Sequence, residues 1–195
     1  MEPIILASSS QRRQEIFTQL QIPYRVIMPD IDETPPEGMA LDKIPEYLAS
    51  KKVDAVVRKF PTTQTIPWVF GADTLVFKDD KIYGKPENID EARKILRELS
   101  GDTHTVITSV ALFNGKNSYL STRTCISKVT FAELSEEELE SYLETDEWHG
   151  VAGAYRIQGK AHCFIKKIEG SYSSIVGLPI FEFYDILKEQ GYNIL

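Results

Sequence analysis

Ile4-Ile5-Leu6-Ala7-Ser8-Ser9-Ser10-Gln11-Arg12-Arg13 is the stretch that decides the fold. Its first four residues are a short apolar run of the buried-strand type. Three serines follow, and a helical stretch runs from about Gln11 to Leu20, in which Ile16 and Leu20 lie four apart on one face. A serine before such a helix is a natural N-cap. Strand, small polar loop and helix N-terminus together make an α/β opening and an anion site, because free backbone N–H groups and the positive helix end face outward. Arg12 and Arg13 are out of place on local grounds, since a helix start prefers acidic side chains. An anionic ligand would remove the mismatch, and the arginine fork matches phosphate. A solvated helix start explains the segment equally well when it is taken alone.

Working outward, Tyr24–Met28 reads as a strand and 29–39, with three prolines, as a loop. Residues 41–60 read as a helix with Pro45 in its first turn. Two apolar segments, 66–70 and 75–77, bracket Gly71-Ala72-Asp73-Thr74, which reads as a turn. Asp79-Asp80 closes a hairpin between 75–78 and 81–83. Asn88 with Glu91 caps a helix whose stripe is Ile89, Ala92, Ile95, Leu96 and Leu99, stopped at Gly101. Segments 103–113 and 119–131 are long, rich in β-branched residues and joined by Asn114-Gly115-Lys116-Asn117. Ser135 with Glu138 caps a helix to about Thr145. Residues 163–168 read as a strand, and Ile180, Phe183, Tyr184 and Leu187 mark a last helix before Gly191. Strands and helices interleave without strict alternation, so the expected class is α/β with a mixed, partly antiparallel sheet.

The bulk properties narrow the function. The chain has 195 residues, within the range of one domain or of two lobes sharing a core. Its net charge of −7 argues against generic binding to nucleic acid or to an anionic membrane. The two cysteines, Cys125 and Cys163, have no metal-ligand spacing and read as thiols in a reducing compartment. The start of the chain lacks a basic region and a long apolar run, and no stretch approaches the ~18 apolar residues of a membrane span. A cytoplasmic protein is expected. His104, His149 and His162 are scattered, and His104 falls at a strand start with a structural or exposed role. No Walker loop, GxGxxG or nucleophile elbow is present.

The acids complement the basic loop. Asp30, Asp32 and Glu33 follow a predicted strand, and Asp73 lies between two. Carboxylates beside a polyphosphate imply a divalent cation, usually Mg²⁺. Lys52 on a predicted helix and Lys85 before Pro86 are further candidates for binding phosphate. Each of these residues alone is more simply a turn acid or a solvated lysine.

Taken in order, the segments resemble the Maf-like nucleotide pyrophosphatases, relatives of the inosine-triphosphate pyrophosphatases. The pieces that carry the resemblance are 6–13 (Leu-Ala-Ser-Ser-Ser-x-Arg-Arg), Asp32-Glu33-Thr34, Gly71-Ala72-Asp73-Thr74 and Lys85-Pro86. They continue with Leu99-Ser100-Gly101, Ala152-Gly153-Ala154-Tyr155, Ile157-Gln158-Gly159, Gly170-Ser171-Tyr172 and Val176-Gly177-Leu178-Pro179. The resemblance implies one domain over 1–195, with two lobes around an elongated mixed sheet and an active-site cleft between them. It implies hydrolysis of a nucleoside triphosphate to the monophosphate and pyrophosphate with Mg²⁺ or Mn²⁺, and a homodimer as a form common in the family. Ser8 and Arg13 match its phosphate-binding positions, and Lys52 and Lys85 match its phosphate-binding lysines. Glu33 and Asp73 match its acidic, metal-holding positions, with Asp73 as proton acceptor; Asp73, Glu33 and Lys85 form the catalytic set.

Arg12, Thr74 and Gln158 match the branch that resembles dTTP/UTP pyrophosphatases, whereas the 7-methyl-GTP branch carries tryptophan, glutamine and glutamate. A glutamine amide both donates to and accepts from a uracil or thymine edge. The sequence departs from the family pattern at Gln11 (usually proline), Val151 (usually lysine) and Arg156 (usually glycine), and Trp148-His149-Gly150 is unusual. Two rival readings stay open at this point: a non-catalytic nucleotide-binding regulator of cell division on the same fold, and a generic phosphate-ester hydrolase.

Overall fold

The computed structural model describes residues 1–61 and 66–195. The chain divides into two compact units. The first comprises residues 1–73, 108–125 and 177–195, and the second comprises 74–107 and 126–176. The expected class stands: among the described residues, helices accompany a seven-stranded mixed sheet.

In the first unit, β1 (Ile4–Leu6) pairs in parallel with both β2 (Tyr24–Val26) and the start of β3 (Trp68–Lys78). Parallel neighbours on both sides explain the uninterrupted apolar run, since Ile4, Ile5 and Leu6 are all buried. Helix α1 (Gln11–Gln19) follows the serine loop and buries Arg13, Ile16 and Phe17. Phe17 packs against Phe70 and Phe183 with ring centroids 5.4 and 5.2 Å apart. Helix α2 (Ile44–Val57) has Pro45 in its first turn, as expected, and a short 3₁₀ turn precedes it. Its buried face, with Ala49, Val53 and Val56, joins Ile5, Ala7 and Val69 in one apolar cluster.

Two readings of the sequence need correction here. Gly71–Thr74 is no turn, because β3 runs unbroken from Trp68 to Lys78. Gly71 is needed for close approach instead: a Cβ there would sit 2.8 Å from the Ala49 carbonyl oxygen and 2.8 Å from Val53 Cγ2. Ser10 occupies the N-cap position of α1, but its side chain makes no cap bond. Ser8 Oγ accepts from the Ser10 N–H at 3.2 Å, a local turn bond that shapes the loop ahead of the helix.

The second unit begins within β3. The Asp79-Asp80 turn leads into β4 (Lys81–Ile82), antiparallel to β3. Helix α3 (Ile89–Leu99) starts at Asn88, whose side chain accepts from the Glu91 N–H. Its buried stripe is Ala92, Ile95, Leu96 and Leu99, while Ile89 is exposed. Strands β5 (Thr103–Asn114) and β6 (Tyr119–Phe131) match their expected limits to within a residue and contribute to both units. Helix α4 (Glu136–Leu143) carries the full Ser135–Glu138 capping box. The last strand, β7 (Ile165–Glu169), is antiparallel to β6 and starts two residues later than the sequence suggests. Residues 160–164 form a 3₁₀ turn in its place.

Helix α5 (Tyr172–Val176) is too short to show a period and was not expected. Helix α6 (Ile180–Glu189) returns to the first unit and buries Phe183, Ile186 and Leu187. The strand order is β2-β1-β3-β5-β6-β7, with β4 beside β3. No helix among the described residues is long and apolar enough to cross a membrane.

Candidate active site

The close approach at Gly71 places chemistry as well as packing. Strand alternation puts Gly71 and Asp73 on the face of β3 that meets α2. Ala49 and Lys52 are three apart and share a face of that helix. Lys52 therefore enters from the helix just where Asp73 projects from the strand, and its Nζ donates to Asp73 Oδ1 at 2.6 Å. The same Nζ lies 3.0 Å from Glu33 Oε1, so two carboxylates converge on one ammonium. Lys52 and Asp73 side chains are 9% and 12% exposed, whereas Glu33 remains 54% exposed. The cluster thus has a dry floor and an open rim.

Arg13 is buried as well. Its Nη1 donates to Ser8 Oγ at 3.0 Å and its Nε to the Gly177 carbonyl oxygen at 2.8 Å. Burial lowers the pKa of its guanidinium to about 10, and the negative charges of Asp73 and Glu33 oppose the shift. Arg13 therefore stays a cation at neutral pH. Burial likewise raises the Asp73 carboxyl above the usual carboxylate range, against the pull of Lys52 and Arg13. A buried carboxylate with a raised pKa is better suited to take up a proton than an ordinary surface aspartate.

The first unit thus brings together Ser8, Arg13, Glu33, Lys52 and Asp73. Asp32 is turned elsewhere: its Oδ1 accepts from the Thr34 N–H at 2.8 Å, which holds its carboxyl below the usual range. Arg12 is half-buried in the first turn of α1. Sequence reasoning did not assign a role to Gly177, since a backbone carbonyl carries no residue-type signal. Only the position of the Val176–Pro179 segment within the family pattern pointed to it.

Thr74, Lys85 and Gln158 belong to the second unit. Thr74 follows Asp73 on β3 and, by alternation, shares a face with Val76. Val76 meets the turn at Ala152–Ala154, where a Cβ on Gly153 would lie 3.2 Å from Val76 Cγ1. Gly153 and Ala154 both have positive φ, 74° and 60°, and the Gly153 N–H donates to the Tyr83 and Gly84 carbonyls. Lys85 is exposed just after that contact, and Gln158 is exposed beyond the turn.

The departures from the family pattern are absorbed by the same region. Val151 is buried, and the Arg156 N–H donates to the Tyr142 hydroxyl at 3.1 Å, while its Nη2 donates to the His149 carbonyl. Trp148 is a core residue whose indole N–H reaches the Leu143 carbonyl oxygen at 3.0 Å. The structure gives no account of Gln11, which is exposed at the start of α1.

The carboxylates also bear on a metal. Among the described residues, no group of three or more His, Cys, Asp or Glu side chains could hold an ion. Glu33 and Asp73 nevertheless present hard oxygen donors that already converge on a cation. Mg²⁺ or Mn²⁺ bound by one or two carboxylates completes its shell with water and substrate phosphate. The residues fit a site of that kind.

Comparison with known proteins gives the family. The Maf-like protein family matches residues 3–190. The dTTP/UTP pyrophosphatase of Pelotomaculum thermopropionicum is 40% identical over 195 residues, covering all of both chains. That of Hahella chejuensis is 43% identical over 191 residues, covering 98% of this chain and 94% of its own. In structure, the Staphylococcus aureus Ham1 protein overlays with a TM-score of 0.47 at 15% identity, covering 74% of this chain and all of that one. The family match across nearly the whole sequence and the full-length relatives show that the chain belongs to the Maf family.

Proposed function

We propose that this protein is a nucleoside triphosphate pyrophosphatase that hydrolyses dTTP and UTP to the monophosphate and pyrophosphate, a house-cleaning activity. The observation that carries the reading is the convergence of Glu33 and Asp73 on Lys52, with Arg13 buried beside Ser8 in the same unit. Names of full-length relatives supply the substrate class.

In this reading Asp73 takes the proton of the attacking water, which its raised pKa favours. Glu33 and Asp73 would hold a divalent cation, which when bound neutralises phosphate charge and favours ionised water. Arg13, Lys52 and Lys85 stabilise negative charge on the leaving pyrophosphate, and Ser8 orients Arg13. Arg12, Thr74 and Gln158 read the base. Residues 1–195 act as one catalytic unit, in the cytoplasm, alone or as a homodimer.

A panel of triphosphates assayed for pyrophosphate tests the reading. Release from dTTP and UTP, faster than from purine nucleotides, is the expected result. Orthophosphate as the product would point to a phosphate-ester hydrolase. Binding without turnover would leave a nucleotide-binding regulator. Replacing Thr74 and Gln158 together should change base preference more than KM for the shared triphosphate; unchanged selectivity would remove them from the base-reading set.

A further inference from the structure

Glu33 reaches the cluster from an irregular segment, not from a helix or strand. A glutamate there has a backbone free to rearrange unless something fixes it, and several contacts do. Just after β2, the Ile27 N–H donates to the Leu6 carbonyl. Lys59 Nζ donates to the Met28 carbonyl at 2.8 Å. Lys51 Nζ donates to the Asp32 carbonyl at 2.7 Å, on the peptide that leads into Glu33. Asp32 Oδ1 then accepts from the Thr34 N–H at 2.8 Å and closes the turn across Glu33. Glu33 is thus bracketed, held by Lys51 on the peptide before it and by Asp32 on the residue after it.

The two lysines at 51 and 52 divide the work by helix geometry. Consecutive residues on a helix project about 100° apart. Lys52 points inward to Asp73 and is buried, while Lys51 points along the surface, with its Nζ 5.5 Å from the Tyr47 ring centroid. Lys51 donates to a backbone carbonyl and not to a carboxylate, so the bond fixes backbone position without neutralising an acid.

We infer that Lys51 and Asp32 are positioning residues that hold Glu33 at the Lys52–Asp73 pair. Asp32 belongs to the acidic group the sequence offers as cation ligands, but its carboxylate is committed to the backbone. This inference rests on the proposed pyrophosphatase reading for its kinetic consequence, but not for its structural one.

The test compares Lys51→Met with Lys51→Arg, which keeps a donor. Amide hydrogen exchange is followed across the chain, and pyrophosphate release is measured against Mg²⁺ and against dTTP. Lys51→Met should speed exchange in 28–34 and leave α3 as in the wild type. It should raise the half-activating Mg²⁺ concentration by roughly 10-fold, the lower end of the effect of losing a partner that orients a metal ligand. Lys51→Arg should restore most of both. Unchanged exchange in 28–34 together with unchanged Mg²⁺ dependence overturns the inference. Faster exchange throughout the chain overturns it too, since Lys51 would then serve general stability. If the wild type itself releases no pyrophosphate, the functional reading fails, and the exchange pattern alone decides the tether.

Discussion

In the first unit Lys52 and Asp73 are buried as a charged pair 2.6 Å apart; in the second, His104 and Tyr155 are buried as a pair bonded at 2.8 Å between Nε2 and the hydroxyl. Burial acts on both, but its outcome differs. It raises Asp73, yet two cations, Lys52 and Arg13, oppose the shift while Glu33 adds to it. It lowers His104 to about 4, with Lys78 adding to the shift and Asp102 only weakly opposing it, and it raises Tyr155. His104 and Tyr155 also pack edge-on with Phe131, at centroid distances of 5.1 and 4.9 Å. The second pair is thus an apolar core held together by one neutral bond. A fold that needs only stability buries groups that stay neutral across the physiological range. Burying a charge beside opposite charges is costly and is retained where chemistry uses it.

The sharpest way to break this contrast is Asp73→Asn. The shape is kept, and Glu33 remains 3.0 Å from Lys52 to pair with it. If Asp73 is the proton acceptor, kcat for dTTP should fall by about 10²- to 10⁴-fold, the usual contribution of a general base. The melting temperature should stay near that of the wild type. A variant that turns over normally would reduce the charged pair to a structural feature.

Lys52→Met comes next and acts on stability. It removes the nearest cation from a buried carboxylate, a change that typically costs 3–5 kcal/mol, here about the same. The sign with pH follows from Asp73. Its folded pKa is already above the ordinary value and would rise further without Lys52. A raised folded pKa means that the contribution to stability is full at low pH and lost as pH rises through it. The destabilisation should therefore be largest at neutral pH and shrink on acidification. Urea midpoints for variant and wild type at pH 8 and pH 5 measure this, and an equal gap at both would show that Asp73 is not the group left exposed to burial.

The same contrast explains what the sequence could and could not reveal. The long strands β5 and β6 were legible because β-branched residues fill them and Asn114-Gly115 separates them. The caps at Asn88 and Ser135 were legible because capping is local chemistry, settled within three residues. The unbroken β3 was not, since Gly71 looks like a breaker until α2 is known to press on it. The inward face of Lys52 was hidden for a related reason: a lysine in a helical rhythm reads as solvated, and only the strand opposite gives it a buried acid. Arg13 was noticed as a mismatch at a helix start, yet its anchor is a carbonyl 164 residues away, beyond any local signal. The acids were visible as types, but which of Asp32 and Glu33 faces the cluster depends on the turn between them.

The neutral pair gives the smallest expected effect and the cleanest opposite sign. His104 is 1% exposed, and its Nδ1 has no hydrogen-bond partner among the described residues. Its folded pKa of about 4 lies below the ordinary 6.5. Such a group contributes stability that is full above the unfolded value and is lost as pH falls towards the folded one. The loss begins near pH 6.5 and is complete near pH 4, amounting to roughly 3 kcal/mol for that interval. His104→Phe deletes this acid-sensitive component while leaving the Tyr155 hydroxyl unpaired, which costs about 1–3 kcal/mol at every pH. Urea titrations should therefore show the variant weaker than the wild type at pH 7.5 and the gap closing by pH 4.5. A gap that stays constant would mean that His104 is protonated within the fold, and the two buried pairs would no longer differ in the way they carry charge.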